Sequence, residues 1–110
     1  MTTFDVTTTE RPDGVLVALS GELDLASAQK LEDELKHVEG AGPEVIVLDL
    51  QALSFMDSSG LRALLAADSR ARERGGRLVL VRGDERAQRV HKITRLDERL
   101  EIVDSADAVA

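Results

Sequence analysis

The fold and the candidate site are both decided by residues 49–61, which read Asp49-Leu50-Gln51-Ala52-Leu53-Ser54-Phe55-Met56-Asp57-Ser58-Ser59-Gly60-Leu61. They follow the continuous apolar run Val45–Leu48, which is typical of a strand covered on both faces, as parallel strands are. We expect the strand to end here, a short loop to follow, and a helix to begin at the Asp57–Gly60 turn. Because open α/β sheets carry their sites at the carboxyl ends of parallel strands, Ser58 is the candidate functional residue.

The same turn also has a purely structural explanation. Asp and Ser are preferred helix N-caps, where a side-chain oxygen accepts a hydrogen bond from a free N–H and contributes about 1 kcal/mol. Two consecutive hydroxyls and a carboxylate exceed what one cap requires. Capping and a functional hydroxyl therefore both stay open on the local sequence.

Strand and helix patterns alternate before this stretch. A half-exposed strand at Phe4–Val6, a turn at Arg11–Gly14 and a strand at Val15–Leu19 predict a hairpin. A helix follows the N-cap candidate Asp24 and stops at Gly40–Pro43. Its apolar face comprises Ala28, Leu31, Leu35 and Val38.

The alternation continues after the stretch. Leu61, Leu64, Leu65 and Ala71 form a second helical stripe, which Gly75-Gly76 ends. A buried strand at Leu78–Val81 and a third helix beginning near Asp84 follow, the helix with Ala87, Val90 and Ile93 facing inward. Residues 96–103 fit either an edge strand or a packed loop, and Ser105–Ala110 fits the first turns of a last helix. The chain is predicted to be one α/β domain, residues 1–110, with a mixed, mostly parallel sheet of four to five strands and three to four helices.

Composition excludes several classes of function. A net charge of -7 and only two aromatic residues, Phe4 and Phe55, argue against nucleic-acid binding. Arg70, Arg72, Arg74 and Arg77 could form a local basic patch, but a solvated helix C-terminus explains them better. The chain has no cysteine and no cofactor or metal-binding motif, so neither a cofactor nor a metal is expected. With no signal-peptide pattern and no membrane-spanning apolar run, we expect a cytoplasmic protein without a membrane partner.

An enzyme that uses Ser58 as a nucleophile is the weakest hypothesis. Such a hydrolase needs a base, and the chain offers only His37 and His91, neither of which lies in a recognisable motif. No catalytic residue is therefore predicted.

Taken together, these motifs resemble the STAS family, specifically its stand-alone bacterial members that act as anti-sigma factor antagonists. The first family signature is similar to Leu19–Asp24, and the second to Val47–Leu50 with Leu53–Leu61; residues 74–78 and 93–97 are similar to the third and fourth. The chain departs from the family pattern at Arg95, where a glycine is common, at Leu100, where an aromatic is common, and in its short last helix.

The resemblance implies a switch at Ser58. In that family an anti-sigma factor that is also an ATP-dependent serine kinase phosphorylates this serine, and a metal-dependent serine phosphatase removes the phosphate. The unphosphorylated chain would bind the anti-sigma factor and free the sigma factor. The implied partner-binding residues are Gly21, Glu22, Asp24, Asp57, Ser58, Ser59, Gly60 and Arg62.

Two points stay open on the sequence. Arg62, one helical turn beyond Ser58, either pairs with the phosphate or is a solvated surface arginine. The alternative function within the same fold is a STAS accessory subunit of a transport or signalling assembly, which needs no phosphorylation.

Overall fold

One mixed sheet organises the fold. A computed structural model of the chain describes residues 3–82 and 100–109. Its strands are β1 (Phe4–Arg11), β2 (Gly14–Leu23), β3 (Val45–Met56), β4 (Arg77–Val81) and β5 (Glu101–Val103), and they lie in that order in the sheet. β1 and β2 form an antiparallel hairpin, whereas the other neighbouring pairs are parallel. The predicted hairpin and the mixed, mostly parallel sheet are confirmed.

Two α-helices connect the parallel strands in the described part of the chain. α1 (Leu25–Glu39) lies between β2 and β3, and α2 (Ser58–Glu73) between β3 and β4. The third helix predicted near Asp84 lies outside the described residues, as does Arg95. The last helix predicted at Ser105–Ala110 is a 3-10 turn over Ala106–Ala108 instead.

The core follows from the two-residue alternation of strand side chains. On one face, residues of β2, β3 and β4 pack against both helices: Val17, Leu19, Ile46, Leu48, Leu78 and Leu80 with Leu31, Leu35, Val38, Leu64 and Ala71. On the other face, Val45, Val47, Val79 and Val81 pack with Val109 near the end of the chain. Both faces of the central strands are therefore buried, as their continuous apolar sequences predict.

β2 and β3 are both longer than their apolar runs indicate. The pairing between them shifts register twice, between Ala18 and Ser20 and between Gly21 and Glu22, and each time β3 contains one residue more than β2. These bulges let β3 continue to Met56, with the Ser54 hydroxyl donating to the Gly21 carbonyl at 3.1 Å. The prediction of a short loop between this strand and the second helix is wrong, because only Asp57 separates β3 from α2.

The arginines around the end of α2 each have an oxygen acceptor, and Arg72 and Arg74 are exposed, as a solvated helix C-terminus predicts. Arg70 joins the two helices by hydrogen bonds of 2.8 and 2.9 Å to Glu39 and of 3.2 Å to Glu32. These bonds raise the pKa of Arg70 above its ordinary value, and the bond to Glu39 has the largest effect. Arg72 pairs with Asp68, Arg74 donates to the Pro43 carbonyl, and Arg77 pairs with Glu101. The expectation of a solvated helix C-terminus is therefore wrong for Arg70, which is half-buried.

Candidate functional site

Two helix starts lie side by side at the carboxyl edge of the sheet. Leu23 and Met56 are the last paired residues of β2 and β3, and one aspartate follows each of them, Asp24 before α1 and Asp57 before α2. The Asp57 N–H donates to the Leu23 carbonyl at 3.1 Å, which ties the two connections together. We call this edge, residues 21–25 and 54–62, the switch edge.

The aspartate alone caps α2. The Asp57 carboxylate accepts hydrogen bonds from the Ser59 N–H at 2.9 Å and from the Gly60 N–H at 3.2 Å. Ser58, the first residue of the helix, is exposed, and Ser59 is half-buried. No described residue forms a hydrogen bond with the Ser58 hydroxyl. The cap is therefore complete without that hydroxyl, which stands free at the surface.

α1 begins with a capping box. The Asp24 carboxylate accepts from the Ser27 N–H at 3.0 Å, and the Ser27 hydroxyl accepts from the Asp24 N–H at 2.9 Å. The same hydroxyl donates to the Glu22 carbonyl at 2.7 Å, so it also holds the end of β2. Sequence reasoning missed Ser27, although the Asp-Xaa-Xaa-Ser spacing resembles a capping box and could have revealed it.

At two positions of the switch edge, neighbouring atoms lie so close to the backbone that only glycine fits. Gly21 has φ +89°, and a Cβ there would lie 2.0 Å from the Thr3 carbonyl oxygen. Gly60 is buried, and a Cβ there would lie 2.6 Å from the Leu23 Cγ and 3.0 Å from the Met56 Cγ. The absence of a side chain at Gly60 therefore allows the first turn of α2 to pack closely against the end of β2.

Arg62 lies on the exposed side of α2, four residues after Ser58. It has no ion pair within the described residues, so its guanidinium is available to a group placed on the preceding turn. The structure brings it to the same helix end as Ser58 and leaves both explanations of it open.

Within the described residues, no histidine lies at the switch edge. His37 lies in the last turn of α1, thirteen residues beyond Asp24 and so roughly 20 Å along the helix. His91 lies outside the described residues. Across residues 3–82 and 100–109, no three carboxylate or imidazole side chains are grouped as metal ligands would be. Neither α1 nor α2 has the length and apolarity that crossing a bilayer requires.

Comparison with known proteins agrees with this architecture. The family model described as the STAS domain matches residues 5–109. The anti-sigma-B factor antagonist of Listeria monocytogenes is 32% identical over 90 residues, covering 82% of this chain and 79% of its own length.

Solved structures share the fold. An anti-sigma factor antagonist from Mycobacterium paratuberculosis superposes with a TM-score of 0.84 and 26% identity, over 96% of this chain and 89% of that one. The Bacillus protein SpoIIAA in its phosphorylated form superposes with a TM-score of 0.68 and 22% identity, over 97% and 96% of the two chains. The predicted resemblance is confirmed, and the chain belongs to the STAS domain family.

Proposed function

We propose that this chain is an anti-sigma factor antagonist, whose unphosphorylated form binds an anti-sigma factor and so releases a sigma factor. Phosphorylation of Ser58 switches this binding off. The observation that carries the proposal is the exposed Ser58 hydroxyl, which is the first residue of α2 and takes no part in the Asp57 cap. The names of the relatives support the same role.

The proposed anti-sigma factor is also the kinase. The Ser58 oxygen attacks the γ-phosphorus of ATP, a bond from that oxygen to phosphorus forms, and the bond to the bridging oxygen of ADP breaks. The hydroxyl proton passes to a basic group of the kinase, because this chain places no histidine at the switch edge within the described residues. A serine phosphatase reverses the modification by transferring the phosphoryl group to water.

The Asp57 cap explains why a phosphate on Ser58 would act on a docked partner. A phosphate at a helix N-terminus ordinarily gains hydrogen bonds from free N–H groups. Here the Asp57 carboxylate already accepts from the Ser59 and Gly60 N–H groups. A phosphate on Ser58 therefore adds about -1.5 to -2 charges beside a carboxylate that already accepts from two of the N–H groups at this helix end.

That charge faces the place where the kinase holds its nucleotide. Phosphoryl transfer requires the nucleotide phosphates to lie against the Ser58 hydroxyl, so phosphorylated Ser58 is repelled by the nucleotide in the same complex. A tenfold loss of affinity requires only about 1.4 kcal/mol. A phosphate of about -1.5 to -2 charges is sufficient for this even when Arg62 offsets part of its charge.

The proposed docking surface is the switch edge. Glu22 and Asp24 supply its charge, Ser59 lies next to the acceptor, and Gly21 and Gly60 shape the backbone. Arg62 is proposed to pair with the phosphate after transfer. Release of a sigma factor places the protein in the cytoplasm, where transcription takes place, and the role is regulatory binding without catalysis by this chain.

The decisive experiment is phosphorylation by purified serine-kinase anti-sigma factors of the source organism with radiolabelled ATP, followed by mapping of the label. We expect one phosphate, on Ser58. Ser58→Ala should abolish labelling and bind the kinase constitutively, and Ser58→Asp should bind weakly. Ser69→Ala, an exposed serine on the same helix, is the matched control and should behave as wild type.

Other outcomes would contradict the proposal in different ways. Label on another residue would refute Ser58 as the acceptor, and binding without any labelling would favour an accessory subunit. Hydrolysis of an activated ester that Ser58→Ala abolishes would favour a hydrolase.

A further inference from the structure

Two large apolar side chains stand exposed on the switch edge. Of the residues that the structure describes, Leu25 and Phe55 are the large hydrophobic side chains that remain exposed, by 76% and 46%. A single exposed hydrophobic residue is ordinary on a protein surface and needs no explanation. Here both lie on the same edge, Leu25 as the first residue of α1 and Phe55 next to the last residue of β3.

Their positions follow from the pairing of β2 with β3. Phe55 pairs with Glu22 across the two strands and precedes Ser58 by three residues. Leu25 is the first residue of α1, two residues after the Leu23 carbonyl that binds the Asp57 N–H. The edge that carries the Ser58 hydroxyl therefore also carries two exposed apolar side chains.

The fold itself does not need an apolar residue at either position. Leu25 is 76% exposed at the first position of α1, and Phe55 lies between the exposed Ser54 and Met56, which packs against the core. The other aromatic residue of the chain, Phe4, packs against the core. Exposed Phe and Leu beside a proposed modification site fit the anchors of a protein interface, which are few, apolar and central.

We infer that Leu25 and Phe55 are the apolar anchors by which the chain docks on its anti-sigma factor, an inference that rests on the proposed function. The matching surface on that protein is an apolar pocket beside its nucleotide site. The carboxylates of Glu22 and Asp24 border the same edge, so cationic groups of the partner complete the contact. Charge favours such a partner over a second copy of this chain, which would bring its own carboxylates against these.

The anchors and the acceptor have separable effects. Removing an anchor weakens docking but leaves the Ser58 hydroxyl and the Asp57 cap intact. The concentration of this chain that gives the half-maximal rate of phosphorylation should therefore rise, while the maximal rate should not change. Leu25→Ala and Phe55→Ala should each weaken binding to the anti-sigma factor at least about tenfold, as interface anchors do. The melting temperature should stay near that of wild type, since both side chains are exposed.

The test measures affinity by calorimetry and phosphorylation kinetics with the anti-sigma factor that binds the wild-type chain. Gln51→Ala on β3 and Lys36→Ala on α1 are matched controls, since both residues are exposed on the same two elements. Unchanged affinity and half-maximal concentration in both anchor variants would overturn the inference. Failure of the wild-type chain to bind any such kinase would instead refute the proposed function, so the two failures are distinguishable. Light scattering that shows dimers of wild type, dissociated by the same variants, would also overturn the inference in favour of self-association.

Discussion

Gly60→Ala tests whether the start of α2 is set by close approach to β2. The added Cβ would lie 2.6 and 2.9 Å from the Leu23 Cγ and Cδ2 and 3.0 Å from the Met56 Cγ. Leu23 is completely buried, so its side chain cannot turn aside into solvent. Overpacking of this kind typically costs about 1–3 kcal/mol. The better helix propensity of Ala recovers up to about 1 kcal/mol of that.

We therefore expect Gly60→Ala to lower the free energy of unfolding by about 1–2 kcal/mol, with the clash outweighing the gain in propensity. For a domain of this size, each kcal/mol corresponds to a shift of about 4–8 °C in Tm. Urea titration followed by circular dichroism measures the first quantity and thermal unfolding the second.

Two further variants make this prediction specific. Gly40→Ala is the matched control, because a Cβ there has its nearest neighbour at 3.3 Å and φ is -61°. It should change the free energy of unfolding by less than Gly60→Ala does. Leu23→Ala removes the two clashing carbons, so the double variant Leu23→Ala with Gly60→Ala should cost less than the sum of the single changes. A Gly60→Ala protein as stable as wild type, or strictly additive effects, would show that the start of α2 is not set by contact with Leu23.

Two ion pairs give the remaining stability predictions. Arg70→Met leaves Glu32 and Glu39 facing each other without a cation. The free energy of unfolding, measured by urea titration, should fall by about 1–3 kcal/mol. This is less than for a fully buried pair because the Arg70 side chain is 27% exposed. An unchanged midpoint would show that the clamp is dispensable. The hydrogen bond from Arg77 lowers the pKa of Glu101, so this pair stabilises the fold above the ordinary carboxyl pKa and loses that effect as the pH falls through the lowered value. Glu101→Gln should lower the free energy of unfolding by less than about 1 kcal/mol at pH 7, since the pair is exposed. It should have no effect once the pH lies below both the ordinary and the lowered pKa of Glu101. A loss of stability that persists in acid would contradict this.

Much of the fold is encoded in short stretches of the chain. The ends of α1 are examples, because the N-cap Asp24 and the C-cap Gly40 lie where the local pattern predicts them. The stop of α2 is another, since Gly75 adopts φ +76° immediately after the helix. The Ser58 turn belongs to the same class: an aspartate and two serines before an apolar stripe predict a helix start wherever they occur.

The predictions that fail concern strand length and the surroundings of side chains. The apolar run Val45–Leu48 predicts a strand that ends after it and is followed by a short loop, but β3 continues to Met56 because two bulges keep it paired with β2. Nothing within residues 49–56 shows this, since a bulge depends on the register of a strand that is distant in sequence. The prediction of a solvated Arg70 fails for the same reason, because Glu32 and Glu39 are also distant in sequence.

Residue types and their spacing along the chain therefore predict the hairpin, the alternation of strands and helices as far as β4, the apolar faces, the helix caps and the serine at the start of α2. These depend on side-chain period and on hydrogen bonds between residues a few positions apart. Contacts between distant segments set three further features: the two helix starts are adjacent, the Asp57 cap leaves the Ser58 hydroxyl free, and Leu25 and Phe55 are exposed on the same edge. Those facts depend on how distant strands pair, and local sequence carries no information on that register.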